Sequence, residues 1–251
     1  MGYTLAVAGK GGSGKTSLSS LVIRYLSKKG VGPILAVDAD PNANLGESLG
    51  LLVMETVGRM LDDFQKNKVN IPSGMTKEAY LEFKLNSLIV ESRGIDLMTM
   101  GRGEGQHCYC YPNLILRKFI DRLSSNYPYI VLDNEAGMEH LSRGTTQDID
   151  ELLIVSNHSI KGVRTIARII ELVKELKLRV KHRSIVINMV PGSIDPLISN
   201  ELAGMGIAPD AVIPQDELIY QFDLQTKSLL DLPDNSISVL ALDKFMKHLN
   251  I

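Results

Sequence analysis

Apolar residues along this chain fall into two rhythms. Short stretches rich in apolar residues occur at Tyr3–Ala8, Ile34–Asp38, Ile95–Met100, Tyr129–Asp133, Glu151–Val155, Ser184–Asn188 and Ala208–Ile213, and each reads as a strand. Between them apolar positions recur at helical spacing: Leu18, Leu21, Val22, Tyr25 and Leu26 in one stretch, Val163, Ile166, Ala167, Ile170 and Val173 in another. Leu114–Leu123 reads as a further amphipathic helix. Seven strands alternating with helices predict an α/β fold built on a doubly wound, mainly parallel sheet.

Residues 46–94 interrupt the alternation. Leu49–Leu61 predicts one or two short helices and Lys77–Leu85 another, while Asn67–Met75 is polar and turn-rich, with Pro72 and Gly74. This excursion reads as scaffold or as a surface insertion that meets a partner, and no chemistry is specified in it. The last stretch, Ser236–Ile251, carries apolar Val239, Leu240, Leu242, Phe245, Met246 and Leu249. Its basic residues are Lys244, Lys247 and His248, too few for the positive face of a membrane-surface helix, so it reads as a closing core helix.

A length of 251 residues, 44% of them hydrophobic, is enough for one domain with a large core over residues 1–251. The 27 basic and 29 acidic residues are interspersed, and a net charge of −2 offers no broad basic field to nucleic acid or to an anionic membrane. Two cysteines make no disulfide framework and point to a reducing cytoplasm. The chain opens directly into a strand, which leaves no room for a signal peptide, and no apolar run approaches the ~18 residues of a membrane span.

Chemistry enters with Gly9-Lys10-Gly11-Gly12-Ser13-Gly14-Lys15-Thr16, which fits the phosphate-binding pattern G-x-x-x-x-G-K-[ST] between a strand and a helix. That context aims a nest of backbone N–H groups and the positive end of a helix dipole at a phosphate. Lys15 is expected to reach the β- and γ-phosphates and the Thr16 hydroxyl to face Mg²⁺, with Ser17 completing the nucleotide contacts. Two carboxylates, Asp38 and Asp40, close the second strand at the sheet end where open α/β folds bind ligands. Asp133 closes another apolar strand four residues before Gly137, the arrangement that holds Mg²⁺ through water and senses the γ-phosphate.

Lys10 gives the loop the spelling G-K-G-G-x-G-K-T, which resembles the deviant phosphate loop of the MinD/Mrp, ParA and nitrogenase iron-protein group of ATPases. The resemblance implies a homodimer sandwiching ATP, with Lys10 reaching the partner's nucleotide; the alternative is a lysine adding charge to its own phosphate site. It also implies that Asp40 positions the attacking water and that Asp38 assists near Mg²⁺. Asn188, at a strand end, and the loop Pro214-Gln215-Asp216 match the group's adenine-contacting positions. The sequence Met189-Val190-Pro191 after Asn188 is not the N-K-x-D of GTPases, so ATP is the expected nucleotide.

Both cysteines, Cys108 and Cys110, lie in a glycine-rich loop beginning at Gly101. A C-x-C pair supplies two thiolates, and a closed four-sulfur metal site then needs a second copy of the same loop. His107 is an alternative third ligand within one chain, and a strained, reducible disulfide or two inert thiols are the other readings. The combination of this C-Y-C loop with A-G-M-E-H-L-S-R-G at positions 136–144 resembles the CooC/AcsF-type nickel-handling ATPases of the MinD group. That resemblance implies a metallochaperone holding Ni²⁺, or Zn²⁺ in its place, between two subunits. Its client would be carbon monoxide dehydrogenase or acetyl-CoA synthase. Glu135 departs from the group's usual residue, and His140 reads as solvated or as a link between switch and metal. A nitrogenase-like electron carrier would need a cysteine within residues 133–144, where none occurs. A positioning ATPase acting on membrane or DNA leaves the C-x-C loop without a role.

Overall fold

The computed structural model describes residues 2–66, 71–102, 118–134 and 148–251. Its strands are apolar on both faces because the sheet is sandwiched between helical layers. The strands are β1 (Tyr3–Gly9), β2 (Ile34–Asp38), β3 (Val90–Ser92), β4 (Ile95–Thr99), β5 (Tyr129–Asp133), β6 (Asp148–Asn157), β7 (Arg179–Val190) and β8 (Ala211–Pro214). They form one sheet in the order β3-β4-β2-β5-β1-β6-β7-β8, parallel throughout except for the β3–β4 pair.

Alternate residues of each strand feed two separate cores. Leu5 and Val7 of β1 face α1 (Lys15–Lys28) and the last helix (Ile237–His248), while Ala6 and Ala8 face the layer containing the helix Ile160–Glu175. Val239, Leu242, Phe245 and Met246 of the last helix are buried, so the end of the described chain closes a core as expected. Among the described residues no helix is long and apolar enough to cross a membrane.

The sheet differs from expectation in three places. An eighth strand, β3, forms the antiparallel edge; with three residues turning at Arg93-Gly94 it is too short to show a period. β6 and β7 extend well beyond their predicted apolar centres because polar residues pair across them, Arg179 with Asp148 and Lys181 with Asp150. The final strand begins at Ala211 rather than Ala208, after Pro209, and runs to Pro214. Of the predicted Leu49–Leu61 helices, one lies earlier, at Leu45–Ser48, and the other is Val57–Lys66, with the chain between them not helical. Lys77–Ser87 and residues 118–124 are helical as expected, the former capped by the Thr76 hydroxyl.

α1 is tied down at its far end by polar contacts to the closing stretch of the chain. Arg24 is 2% exposed and donates to the main-chain oxygen of Leu232 (2.7 Å) and to Asp234, which Lys28 also reaches. The Tyr25 hydroxyl and the Lys29 ammonium both donate to the main-chain oxygen of Ile251, at 3.0 and 2.6 Å. Arg24→Met keeps most of the side-chain volume but strands a buried carbonyl. It is expected to lower stability by about 1–3 kcal/mol in urea unfolding with an unchanged m-value, and to leave nucleotide affinity as it was. An unchanged midpoint would show that the Leu232 carbonyl finds another donor.

Candidate nucleotide site

β1 ends at Gly9 against β6, so closely that a Cβ there would lie 2.2 Å from the Val155 carbonyl oxygen. The chain then turns through the loop to Gly14, whose φ of 79° lies in the left-handed region glycine favours. Gly14 caps α1 without a side-chain hydrogen bond, so the first N–H groups of the helix keep their donor capacity. The Ser13 N–H donates to the Lys10 carbonyl at 3.1 Å, and the Lys15 ammonium leans on the same carbonyl at 3.4 Å. Lys15 is buried whereas Lys10, Gly11 and Gly12 are exposed. The Ser13 hydroxyl is buried with no hydrogen-bond partner, an orphan donor beside an anion-binding nest.

Two carboxylates stand side by side at the sheet end facing this loop. β2 and β5 pair in parallel with Asp38 opposite Asp133, and β5 in turn pairs with β1. Asp133 is 1% exposed and accepts from the Thr16 hydroxyl at 2.7 Å and the Ser19 hydroxyl at 3.0 Å. Asp38, wholly buried, accepts from the main-chain N–H groups of Asp40 (3.1 Å) and Leu45 (2.8 Å). Burial pushes Asp38 up to about 7, the neighbouring Asp133 charge adding to the shift while the Leu45 N–H opposes it. Burial also pushes Asp133 up to about 6, against the pull of Thr16, Ser19 and Lys15. Asp40 is half-exposed and accepts from the N–H and the side-chain amide of Asn42, each at 2.9 Å.

A cavity of about 840 Å³ opens from the loop toward the last strands. Gly14, Thr16 and Ser17 line its loop end, and Asn188, Pro214 and Gln215 line its other end. Asn188 joins the two ends: its side-chain N–H donates to the Ser13 carbonyl at 3.0 Å, and its oxygen accepts from the Met189 N–H at 2.9 Å. A Cβ at Gly14 would meet that amide at 2.4 Å, so the approach requires glycine on the loop side. Asp216 fastens the Pro214–Gln215 segment. One carboxylate oxygen caps Glu217–Leu224 by accepting from the Leu218 N–H at 3.0 Å. The other accepts from the Ser236 hydroxyl and from the N–H and hydroxyl of Ser238. Burial would raise its pKa, but these donors hold the carboxyl below its ordinary value.

The structure therefore gathers Lys15, Thr16, Asp38, Asp40, Asp133 and Asn188 around one loop, with Pro214 and Gln215 across the cavity. Gly137, Cys108 and Cys110, together with His107, Glu135 and His140, lie outside the described residues. Sequence reasoning missed Ser19, Asn42 and the anchoring role of Asp216. Only Ser19 left a usable trace, one helical turn after Thr16.

The donor set fits Mg²⁺–ATP: a hydroxyl already aimed at a buried carboxylate, a second carboxylate next to it, and an open nest with an orphan hydroxyl. The family described as "AAA domain" matches residues 4–186. The chain is similar to an uncharacterized ATP-binding protein of Methanocaldococcus jannaschii, 42% identical over 234 residues that cover 92% of each chain. It is 29% identical, over 186 residues and 70% of each chain, to the carbon monoxide dehydrogenase accessory protein CooC of Rhodospirillum rubrum. Among solved structures, the septum site-determining protein MinD of Pyrococcus horikoshii, complexed with Mg-ADP, superposes with a TM-score of 0.68. At 22% identity over 100% of this chain and 96% of that one, this likeness establishes the fold.

Both raised carboxyls bind more protons in the folded chain than in the unfolded one between about pH 4 and pH 7, so what they contribute to stability falls as pH rises through that window. A divalent cation favours the ionised forms instead. Mg²⁺–ATP binding at about pH 6 is therefore expected to release protons, and the release to fade by about pH 8. Calorimetric titrations in buffers of different ionisation heat count those protons, and none released at pH 6 would contradict the placement of the cation at Asp133 and Asp38.

Proposed function

The chain is a member of the AAA-domain family of P-loop ATPases, and from that membership we propose that it is an ATP-driven switch handling nickel for a client enzyme. The observation that carries the switch is the in-register pair Asp38 and Asp133 beneath the phosphate loop, with Thr16 already hydrogen-bonded to Asp133. Lys15 and the loop N–H groups would hold the β- and γ-phosphates of the substrate. Thr16 and Asp133 would hold Mg²⁺, which neutralises charge between those phosphates. Asp40, half-exposed at the mouth and able to trade its bonds to Asn42 for one to water, would orient the attacking nucleophile, with Asp38 behind it. Asn188 and Pro214–Gln215 would frame the adenine. Lys10, exposed at the loop tip, is free to reach a second subunit's nucleotide, which supports an ATP-dependent homodimer.

The nickel output rests on Cys108 and Cys110 and on the similarity to the accessory protein CooC. Two thiolates per chain complete a four-sulfur site when two chains meet, so dimer closure on ATP would assemble the Ni²⁺ site, or a Zn²⁺ site in its place. Hydrolysis would loosen it for delivery to carbon monoxide dehydrogenase or acetyl-CoA synthase. A reducing cytoplasm would keep both thiols available. A second reading, a positioning ATPase without metal, is favoured by the likeness in fold to MinD across the whole chain.

Metal content and solution mass under reducing, anaerobic conditions separate the two. Nickel delivery predicts about half a nickel per chain in a dimer, lost in Cys110→Ala. One metal per monomer would direct attention to His107, and no metal would favour the positioning reading. Lys15→Ala is expected to abolish ATP binding, whereas Cys108→Ala keeps it and loses the metal. Equal loss of ATP by both variants would contradict two separate sites.

A further inference from the structure

β7 is bordered on both sides only over its second half. β6 pairs with it from Arg179 to Asn188, whereas β8 pairs with it at Val186, Ile187 and Val190. The last link before the open stretch is Asp210, whose N–H donates to the Ile185 carbonyl at 2.8 Å and whose carboxylate accepts the Ile185 N–H at 2.7 Å. The main-chain groups of Ile185 therefore point away from β6. Every second residue of a regular parallel strand presents its N–H and C=O to the same side. By that alternation Arg183, Lys181 and Arg179 present theirs along an edge that β8 does not reach.

Beside this edge lies a second cavity, of about 300 Å³. Leu152 and Ile154 of β6 and Ile170 and Val173 of the helix Ile160–Glu175 give it an apolar interior. Lys174, Lys181, His182 and Arg183 also line it, and no carboxylate does. The nearby Asp148 and Asp150 are engaged by Arg179 and Lys181, and Asp210 by Ile185. Lys174 and Arg183 are exposed and make no ion pair among the described residues, whereas His182 stands in register opposite the Glu151 carboxylate of β6. Glu171 and Glu175, on the helix, are exposed but are not among the lining residues.

Charged residues on a free edge ordinarily guard a sheet against pairing with another chain. Guarding does not call for an apolar cavity of side-chain size next to the edge, and strand addition does. We propose that this edge is a docking site for an extended acidic segment of another protein. The segment adds as a strand along Arg179–Arg183, places one apolar side chain in the cavity and sets carboxylates against Lys174 and Arg183. A second copy of this chain fits poorly, because edge-to-edge pairing would bring its own Arg179, Lys181 and Arg183 against the same two. The site lies at the N-terminal end of β7, opposite the sheet end that carries Asp38 and Asp133, so docking leaves the nucleotide site accessible. It stands independently of any metal role.

The probe is a fluorescein-labelled peptide alternating glutamate with valine and leucine, titrated by anisotropy against the full chain. Saturable binding is expected. Lys181→Pro removes an outward N–H without touching the β6 ladder and is expected to weaken binding about tenfold, whereas Lys181→Ala loses the same ion pair, keeps the N–H and weakens it less than about threefold. Unaltered ATP binding by both variants reports that they are folded. Should Lys181→Pro fail that control, Val173→Phe, which fills the cavity, takes its place and is likewise expected to weaken binding about tenfold. The proposal is overturned if the wild type shows no saturable binding, or if the proline and alanine variants lose equally, which leaves charge attraction alone. It is also overturned if a DNA duplex displaces the peptide and binds more tightly, or if Lys181→Pro abolishes self-association rather than peptide binding.

Discussion

The Asp133 carboxylate is shut away from solvent at the end of β5, and two hydroxyls one turn apart on α1, from Thr16 and Ser19, converge on it. A charge in that position is costly unless hydrogen bonds and a cation compensate it. Much of the architecture follows from meeting that condition. The strand order seats β5 between β2 and β1, which brings Asp38 alongside Asp133 on one side and the phosphate loop on the other. The uncapped start of α1 and the buried Lys15 supply the nearby positive potential. Without a cation the pair drifts toward protonation; with one, both carboxylates become acceptors. A bound Mg²⁺–ATP would supply the cation that balances both carboxylates.

The other half of the cavity is organised by neutral hydrogen bonds instead. Asn188 holds the Ser13 carbonyl, so the glycine-rich loop and the end of β7 are one hydrogen-bonded unit. Asp216 does the equivalent for Pro214 and Gln215, binding them to the start of the last helix through Ser236 and Ser238. A nucleotide spanning the cavity would touch two walls that the fold has already fixed relative to each other, which lowers the ordering cost of binding.

Much of this was legible in the residues themselves. Runs such as Ile34–Asp38 and Tyr129–Asp133 are apolar at every position up to their final aspartate, which is how a parallel strand with a ligand-facing end should read. The phosphate loop announced the site because glycine spacing, lysine and hydroxyl are all required by one function. What escaped notice was structure made of polar residues. The outer parts of β6 and β7 look like loop in sequence because Asp148, Asp150, Arg179 and Lys181 solve their pairing across strands rather than by burial. Asp216 looks like a turn residue because its four donors come from Leu218, Ser236 and Ser238, three of them some twenty residues away. The C-x-C loop is conspicuous in sequence, but Cys108 and Cys110 lie outside the described residues.

The far end of α1 bears on how the molecule could move. Arg24, Tyr25, Lys28 and Lys29 grip the main-chain oxygens of Leu232 and Ile251 and the carboxylate of Asp234, a set of contacts drawn from the closing stretch of the chain. A helix seated this firmly cannot slide like a piston when its other end receives or loses a phosphate. It behaves as an anvil. A change at the loop would therefore be felt at the ends of β2 and β5, where Asp38 accepts from the Asp40 and Leu45 N–H groups and the Asn134 side-chain amide donates to the Val7 carbonyl, rather than as travel of the helix.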